Sequence, residues 1–389
     1  MLLDPSLALG ELYMDGDVVP LGCTIYDLLD VIGANLPTRG ARVPGIRWAL
    51  LIGLLRRRVD QFNPLGRAQR NVAHHYDLDG RLYSLFLDED QQYSCAYFTT
   101  GDEALERAQQ AKKRHIAAKL LLNRPNLRVL DIGCGWGGMA LTLARDYGCH
   151  VHGITLSREQ LATAQARAEA AGMSDRVSFS LTDYRALTGS YDRIVSVGMF
   201  EHVGVTHYGE YFDAVGRCLT NDGVALLHTI GRSDGPLSTN RWLAKYVFPG
   251  GYSPALSEIA PAIQRSGLVL TDLEVLRLHY AMTLRAWRER FAARRATIAA
   301  LYDDRFCRMF EFYLAVSEMA FRRLTHVNFQ IQLTHSVHAT PPTRDYMLES
   351  NQTSNTPHLQ HRTAARLAAF DSPTGHEVAA RLQATHQPG

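Results

Sequence analysis

Val129-Leu-Asp-Ile-Gly-Cys-Gly-Trp-Gly-Gly138 decides how the rest of this chain is read. A short apolar run ends in Asp131, and glycines stand at 133, 135, 137 and 138. Apolar residues then recur at helical spacing through Met139, Ala140, Leu143, Ala144 and Tyr147. The stretch reads as strand, tight turn and helix. Glycines let the backbone bend sharply and bring bare N–H groups and a helix N-terminus against a ligand, where partial positive charge favours an anionic group. A nucleotide-like ligand is the expected occupant.

Downstream the pattern alternates. His150–Ile154, Val177–Leu181, Asp192–Val197 and Val224–Ile230 read as strands, with helices over Ser157–Ala171 and Tyr208–Leu219. Such alternation predicts a parallel sheet with helices on both faces. A helix over Pro254–Gly267, a strand over Leu268–Val275 and long helices over Thr283–Leu301 and Asp304–Leu324 follow. Val327, Phe329, Ile331 and Leu333 alternate with polar residues, as in a half-buried final strand. Upstream, Asp102–Asn123 lacks Gly and Pro and is expected to be a helix that delivers the chain into the first strand. Beyond about Ala339 the chain turns polar and is expected to be largely disordered.

Composition narrows the class. With 389 residues, 46% of them hydrophobic and 21% charged, the chain has the make-up of a soluble globular protein. A net charge of +2 makes no case for nucleic acid as a partner. The six cysteines show no paired or C-x-x-C spacing, so they read as reduced thiols of a cytoplasmic protein, and no metal site is expected. No apolar run approaches the ~20 residues that span a bilayer. Pro44–Phe62 reads as a helix with Trp48, Leu51, Leu55 and Val59 on one face, closed by Arg56-Arg57-Arg58. It suits either a lipid headgroup layer or packing on the main domain.

The glycine turn alone admits two ligands. A dinucleotide wants a carboxylate about 20 residues on, at the end of the second strand, but that strand ends in Gly153-Ile154-Thr155. S-adenosylmethionine fits better. Its carboxylate suits the helix N-terminus, its ammonium suits Asp131, and its ribose and adenine suit later loops.

More of the sequence carries a resemblance. The segments are Gln92–Phe98 (Gln-Tyr-Ser-Cys-Ala-Tyr-Phe), Val129–Gly138, Gly153–Ser157 with Gln160, Asp192–Gly204, Leu226–Gly231, Phe248–Gly251, and His279-Tyr280 with Thr283 and Trp287. In order and spacing they resemble the cyclopropane-fatty-acyl-phospholipid synthase and mycolic-acid methyltransferase family, over roughly residues 71–335. The resemblance implies an α/β fold of the Rossmann-like class I methyltransferase type, a mainly parallel seven-stranded sheet with helices on both faces, plus a small N-terminal helical segment. It implies a shortened N-terminal domain over 1–66, a catalytic domain over 67–340 and a tail over 341–389.

Carried over position by position, the family's cofactor site falls on Tyr93, Ser94, Gly133, Gly135, Gly137, Thr155, Gln160, Asp183 and Tyr184, beside Asp131. Gln160 also completes an S-x-x-Q capping box with Ser157, so it has two readings. The family's bicarbonate-holding pocket falls on Cys95, Glu201, His228, Ile230 and Tyr280. Cys95 is expected to offer a backbone N–H or a weak S–H contact rather than a nucleophile. Ser317 replaces a cysteine common in the family and is read as a packing position.

The implied activity adds a methylene from S-adenosylmethionine across a cis double bond of phospholipid acyl chains, at the inner face of a membrane to which the protein binds peripherally. Longer relatives suggest a homodimer. The alternatives are a C-methyltransferase that makes branched or otherwise modified chains or methylates a small molecule, and a non-catalytic lipid-binding homologue.

Overall fold

The computed structural model describes residues 5–36 and 80–352. Its centre is a seven-stranded sheet of β1 (Arg128–Ile132), β2 (His150–Thr155), β3 (Val177–Leu181), β4 (Tyr191–Val197), β5 (Leu219–Arg232), β6 (Val269–Leu276) and β7 (His326–Thr334). The strand order is β3-β2-β1-β4-β5-β7-β6. Neighbours from β3 to β5 are parallel, and β7 runs antiparallel between β5 and β6. The mainly parallel α/β sheet read from the sequence is the observed one.

Helices Leu105–Lys119, Gly138–Tyr147 and Arg158–Ala170 cover one face, and Tyr208–Cys218 and Leu256–Ser266 the other. Strands covered on both sides need apolar residues at every position, as in Val129-Leu130 and Ala225-Leu226-Leu227. Local chemistry sets the helix starts. Ser157 Oγ accepts the Gln160 amide, and Asn240 accepts the amides of Trp242 and Leu243. Gly148, left-handed at φ +65°, closes the Gly138–Tyr147 helix.

The structure differs from the sequence reading at three points. β7 is not half-buried: enclosed by β5 and β6, it buries Asn328, Gln330 and Gln332 along with its apolar residues. The helix expected over Thr283–Leu301 begins earlier and divides at Arg294 into His279–Ala293 and Arg295–Leu301. Within the polar tail, Asp345–Gln352 is helical.

The described residues up to Thr340 form one compact unit, and a second begins at Pro341. Two N-terminal helices, Pro5–Asp15 and Ile25–Asn35, belong to the first and pack on helix Asp304–Arg323. Glycines allow the close approach. A Cβ on Gly10 would stand 2.4 Å from the Trp242 indole, and one on Gly33 2.6 Å from Met319 Sδ. The Pro44–Phe62 helix and the boundary expected at residue 66 lie outside the described residues.

Candidate active site

The strand order reverses between β1 and β4, and ligands of open α/β sheets bind at the carboxyl ends of such strands. A cleft opens there. Tyr93, Ser94, Asp131, Gly133, Gly135, Thr155, Gln160, Asp183 and Tyr184 all line it.

The turn glycines are required for separate reasons. Gly133, Gly135 and Gly137 have φ of +82°, +53° and +84°, a region that side chains strain to reach. A Cβ on Gly133 would lie 2.7 Å from Met199 Cβ, and one on Gly137 2.8 Å from Phe179 Cζ. On Gly135 it would meet nothing within 4 Å. Gly137 does not line the cleft. It caps the Gly138–Tyr147 helix and seats it on Phe179 and Ala164.

Asp131 is 2% exposed, and its Oδ2 has no hydrogen-bond partner among the described residues. Burial pushes its carboxyl up to about 7, against the opposing charge of Lys112. A buried carboxylate oxygen left without a donor fits a cationic group brought by the ligand. Gln160 is not part of a reciprocal capping box: Thr155 Oγ1 donates to its Oε1 at 2.8 Å and accepts the Ser157 amide at 3.1 Å. Asp183 binds Arg185 in a fork, receiving Nε at 2.9 Å and Nη2 at 2.8 Å.

Beside the cleft lies a largely apolar cavity of about 690 Å³, within the roughly 300–1,000 Å³ typical of small-molecule sites. The cleft and the cavity share Tyr93, Ser94, Gly198 and His202 as wall residues. Leu9, Leu29, Ile32 and Leu36 of the N-terminal segment line the cavity, as do Phe312, Val316 and Ser317 from the facing helix. Ser317 is therefore a wall residue as well as a packing position.

All five residues read as the bicarbonate pocket line this cavity. Glu201 sits on a single 3-10 turn after β4, anchored by Phe200, whose ring stacks on Tyr208 at 4.3 Å. The Ile230 amide of β5 donates to Glu201 Oε1 at 2.6 Å, and Oε2 is buried with no hydrogen-bond partner among the described residues. Burial raises its carboxyl to about 7. A carboxyl poised there exchanges a proton near neutrality.

His228 is held from β7, with Nε2 3.2 Å from Asn328 Nδ2 and Nδ1 3.1 Å from Gln330 Nε2. Burial lowers its pKa to about 3, so the ring is neutral, with one N–H and one acceptor. Its nitrogens thus meet two amides, one of which serves the ring N–H by turning its oxygen inward. The Cys95 thiol, pushed far up by burial, donates to the Ala96 carbonyl at 3.3 Å and is no nucleophile. Tyr280 stands edge-on to Trp287 at 5.8 Å and 4.8 Å from Phe321.

Sequence reading passed over Lys112, Gln92, His202, Asn328 and Gln330. Lys112 is followed by Lys113 and Arg114 and resembles a solvated helix face, yet it is wholly buried. His202 follows Glu201 in the quoted motif, and only the shared wall marks it.

Residues 64–331 match the family model described as mycolic acid cyclopropane synthetase. The chain is 42% identical over 324 residues to the cyclopropane-fatty-acyl-phospholipid synthase of Escherichia coli (strain K12), covering 83% of this chain and 81% of the relative. To a probable fatty acid methyltransferase of Pseudomonas putida it is 43% identical over 260 residues, 65% of this chain and 66% of the relative. The crystal structure of mycolic acid cyclopropane synthase CmaA1 complexed with SAH and CTAB matches with a TM-score of 0.65 and 31% identity, covering 70% of this chain and 99% of that one. With its sheet, its glycine turn and its paired cavities, this chain belongs to the mycolic acid cyclopropane synthetase family of S-adenosylmethionine-dependent methyltransferases.

Proposed function

We propose that this chain adds a methylene from S-adenosylmethionine across a cis double bond of phospholipid acyl chains, forming a cyclopropane ring. One observation carries the reading: a cleft with an Asp131 oxygen that has no hydrogen-bond partner among the described residues shares a wall with a largely apolar cavity that holds a Glu201 oxygen equally without one. The methyl donor is consumed in the reaction. Attack by the alkene breaks the carbon–sulfur bond and leaves positive charge on the acyl chain, and loss of a proton from the new methyl closes the ring. An alkene is a poor nucleophile, so rate depends on alignment and on exclusion of water. The apolar walls and the Tyr93–Ser94 partition serve both ends. The Tyr280 ring face stabilises the cation.

The donor set suits a small anion. Glu201, near half-protonated at neutral pH, and neutral His228 would hold bicarbonate with Cys95, Ile230 and Tyr280, and it would supply a base beside the cation. Glu201 holds the proton at its Oε2, and His228, clasped by Asn328 and Gln330, keeps a fixed ring orientation.

Access to phospholipids implies peripheral contact with a membrane surface, and none of the described helices is long and apolar enough to cross one. We extend the proposal to residues 1–66 as the lipid-facing part, 67–340 as the catalytic part, 341–389 as a tail, and a homodimer as the assembly. The Pseudomonas putida relative is named a probable fatty acid methyltransferase, and a C-methyltransferase that leaves a branched chain is the second reading. Expression in a host with unsaturated phospholipids, followed by mass spectrometry of the fatty acids, tests both. A chain one methylene heavier that resists hydrogenation supports the ring. A branched chain supports the alternative, and unchanged lipids overturn both.

A further inference from the structure

Lys112 has no exposed surface, and a buried ammonium costs stability unless it is paired. Its Nζ donates to Gln92 Oε1 at 2.5 Å and to Ser94 Oγ at 2.9 Å. From the same helix, Gln109 Nε2 donates to the carbonyl oxygens of Gln92 and Ser94 at 3.2 and 3.0 Å. The clamped segment contains Tyr93 and Ser94, which line both the cleft and the apolar cavity. Asp131, whose Oδ2 has no hydrogen-bond partner among the described residues, belongs to the same cleft, and the charge of Lys112 favours its ionised form.

We propose that Lys112 is a positioning residue for methyl transfer: its hydrogen bonds fix the Tyr93–Ser94 partition between cofactor and acyl chain, and its charge supports the Asp131 carboxyl that meets the ammonium of S-adenosylmethionine. This rests on the reading that Asp131 meets the amino-acid end of the cofactor. The other charges near Lys112 are committed elsewhere. Asp90 pairs with Lys113 and Arg167, and Asp88 accepts the amides of Asp90 and Gln92. Cys95 also faces Lys112, Cys134 faces Asp131, and Lys112 adds to the suppression of charge on His228.

An opposite charge close to a carboxylate lowers its pKa by about one pH unit or more. Without the charge of Lys112, the Asp131 carboxyl would rise further above the ordinary carboxylate range. Its ionised fraction would then fall at pH 7; burial lowers Lys112 itself to about 8, so at pH 9 the parent has lost most of that charge and the variants differ least from it there. The probe is S-adenosylhomocysteine binding, measured by titration calorimetry at pH 7 and pH 9. Lys112→Gln keeps an amide donor and removes the charge. Lys112→Met, similar in length, is the second variant should the first fail to fold.

The expected loss of affinity for Lys112→Gln is severalfold at pH 7 and smaller at pH 9, and it shrinks in an Asp131→Asn background, whereas Lys112→Met, which also loses the bonds to Gln92 and Ser94, binds more weakly than Lys112→Gln at both pH values. A Lys112→Gln loss that is equal at both pH values and undiminished in the Asp131→Asn background would mean a merely structural role and overturns the proposal. If Asp131→Asn weakens binding and the Lys112 variants do not, Lys112 alone is misassigned. If Asp131→Asn leaves affinity unchanged, the reading of Asp131 falls and the proposal with it.

Discussion

Glu201→Gln separates the chemistry of the site from its architecture. Burial raises the Glu201 carboxyl to about 7, against 4.5 for an ordinary glutamate. That difference of two and a half pH units corresponds to about 3 kcal/mol. The sign follows from the direction. A carboxyl with a raised pKa in the folded state contributes stability that is complete below pH 4.5 and is lost as pH rises through about 7. Glutamine is neutral at every pH, so the variant should match the parent near pH 4.5 and gain up to about 3 kcal/mol above pH 8. In calorimetric melting this is a rise in Tm on the order of 5 °C that develops between pH 5 and pH 8. Turnover should fall at least about a hundredfold, the lower range for loss of a positioned acid–base group. The assay is cyclopropane content of host phospholipids, with S-adenosylhomocysteine affinity as the control for an intact cleft. Near-normal product, or a Tm difference that is the same at every pH, would refute the role assigned to Glu201.

Other outcomes follow from the same geometry. Iodoacetamide at pH 8 should alkylate exposed Cys23 and leave Cys95 unmodified in the folded protein, as read by peptide mass spectrometry, because the Cys95 thiol is buried and neutral. Gly137→Ala should lower the denaturation midpoint by the equivalent of about 1–3 kcal/mol, since the new methyl combines positive φ with a 2.8 Å approach to Phe179; an unchanged midpoint in urea contradicts this. Gly33→Ala should push the Ile25–Asn35 helix off Met319 and alter which acyl chains are modified, while S-adenosylhomocysteine affinity stays within about twofold. An unaltered product profile would show that this helix does not shape the cavity.

How much of this is legible in the sequence depends on whether a residue's task is local. Gly133 and Gly137 announce themselves because a sharp turn between strand and helix demands positive φ at alternate residues of one short stretch. Glu201 and Cys95 are legible only through the motifs around them, since nothing in their immediate neighbours says that they will meet across a cavity. Lys112 is hidden by Lys113 and Arg114, one of which is buried beside it and the other not. Asn328, Gln330 and Gln332 follow the strict alternation of an exposed strand face, and that pattern misleads. The strand lies inside the sheet, and its amides serve buried partners: the His228 ring and the Lys119 carbonyl. Periodicity reports which residues differ from their neighbours, and long-range pairing decides what the difference is for.

Leu9, Leu29, Ile32 and Leu36 stand outside the residues 64–331 that match the family model, yet they complete one wall of the apolar cavity. Part of the contour of the apolar cavity is therefore supplied by a stretch outside the one that carries the glycine turn, and the two meet at Gly10–Trp242 and Gly33–Met319. Substitutions at Leu9, Leu29, Ile32 or Leu36 can reshape that wall without touching a glycine of the turn.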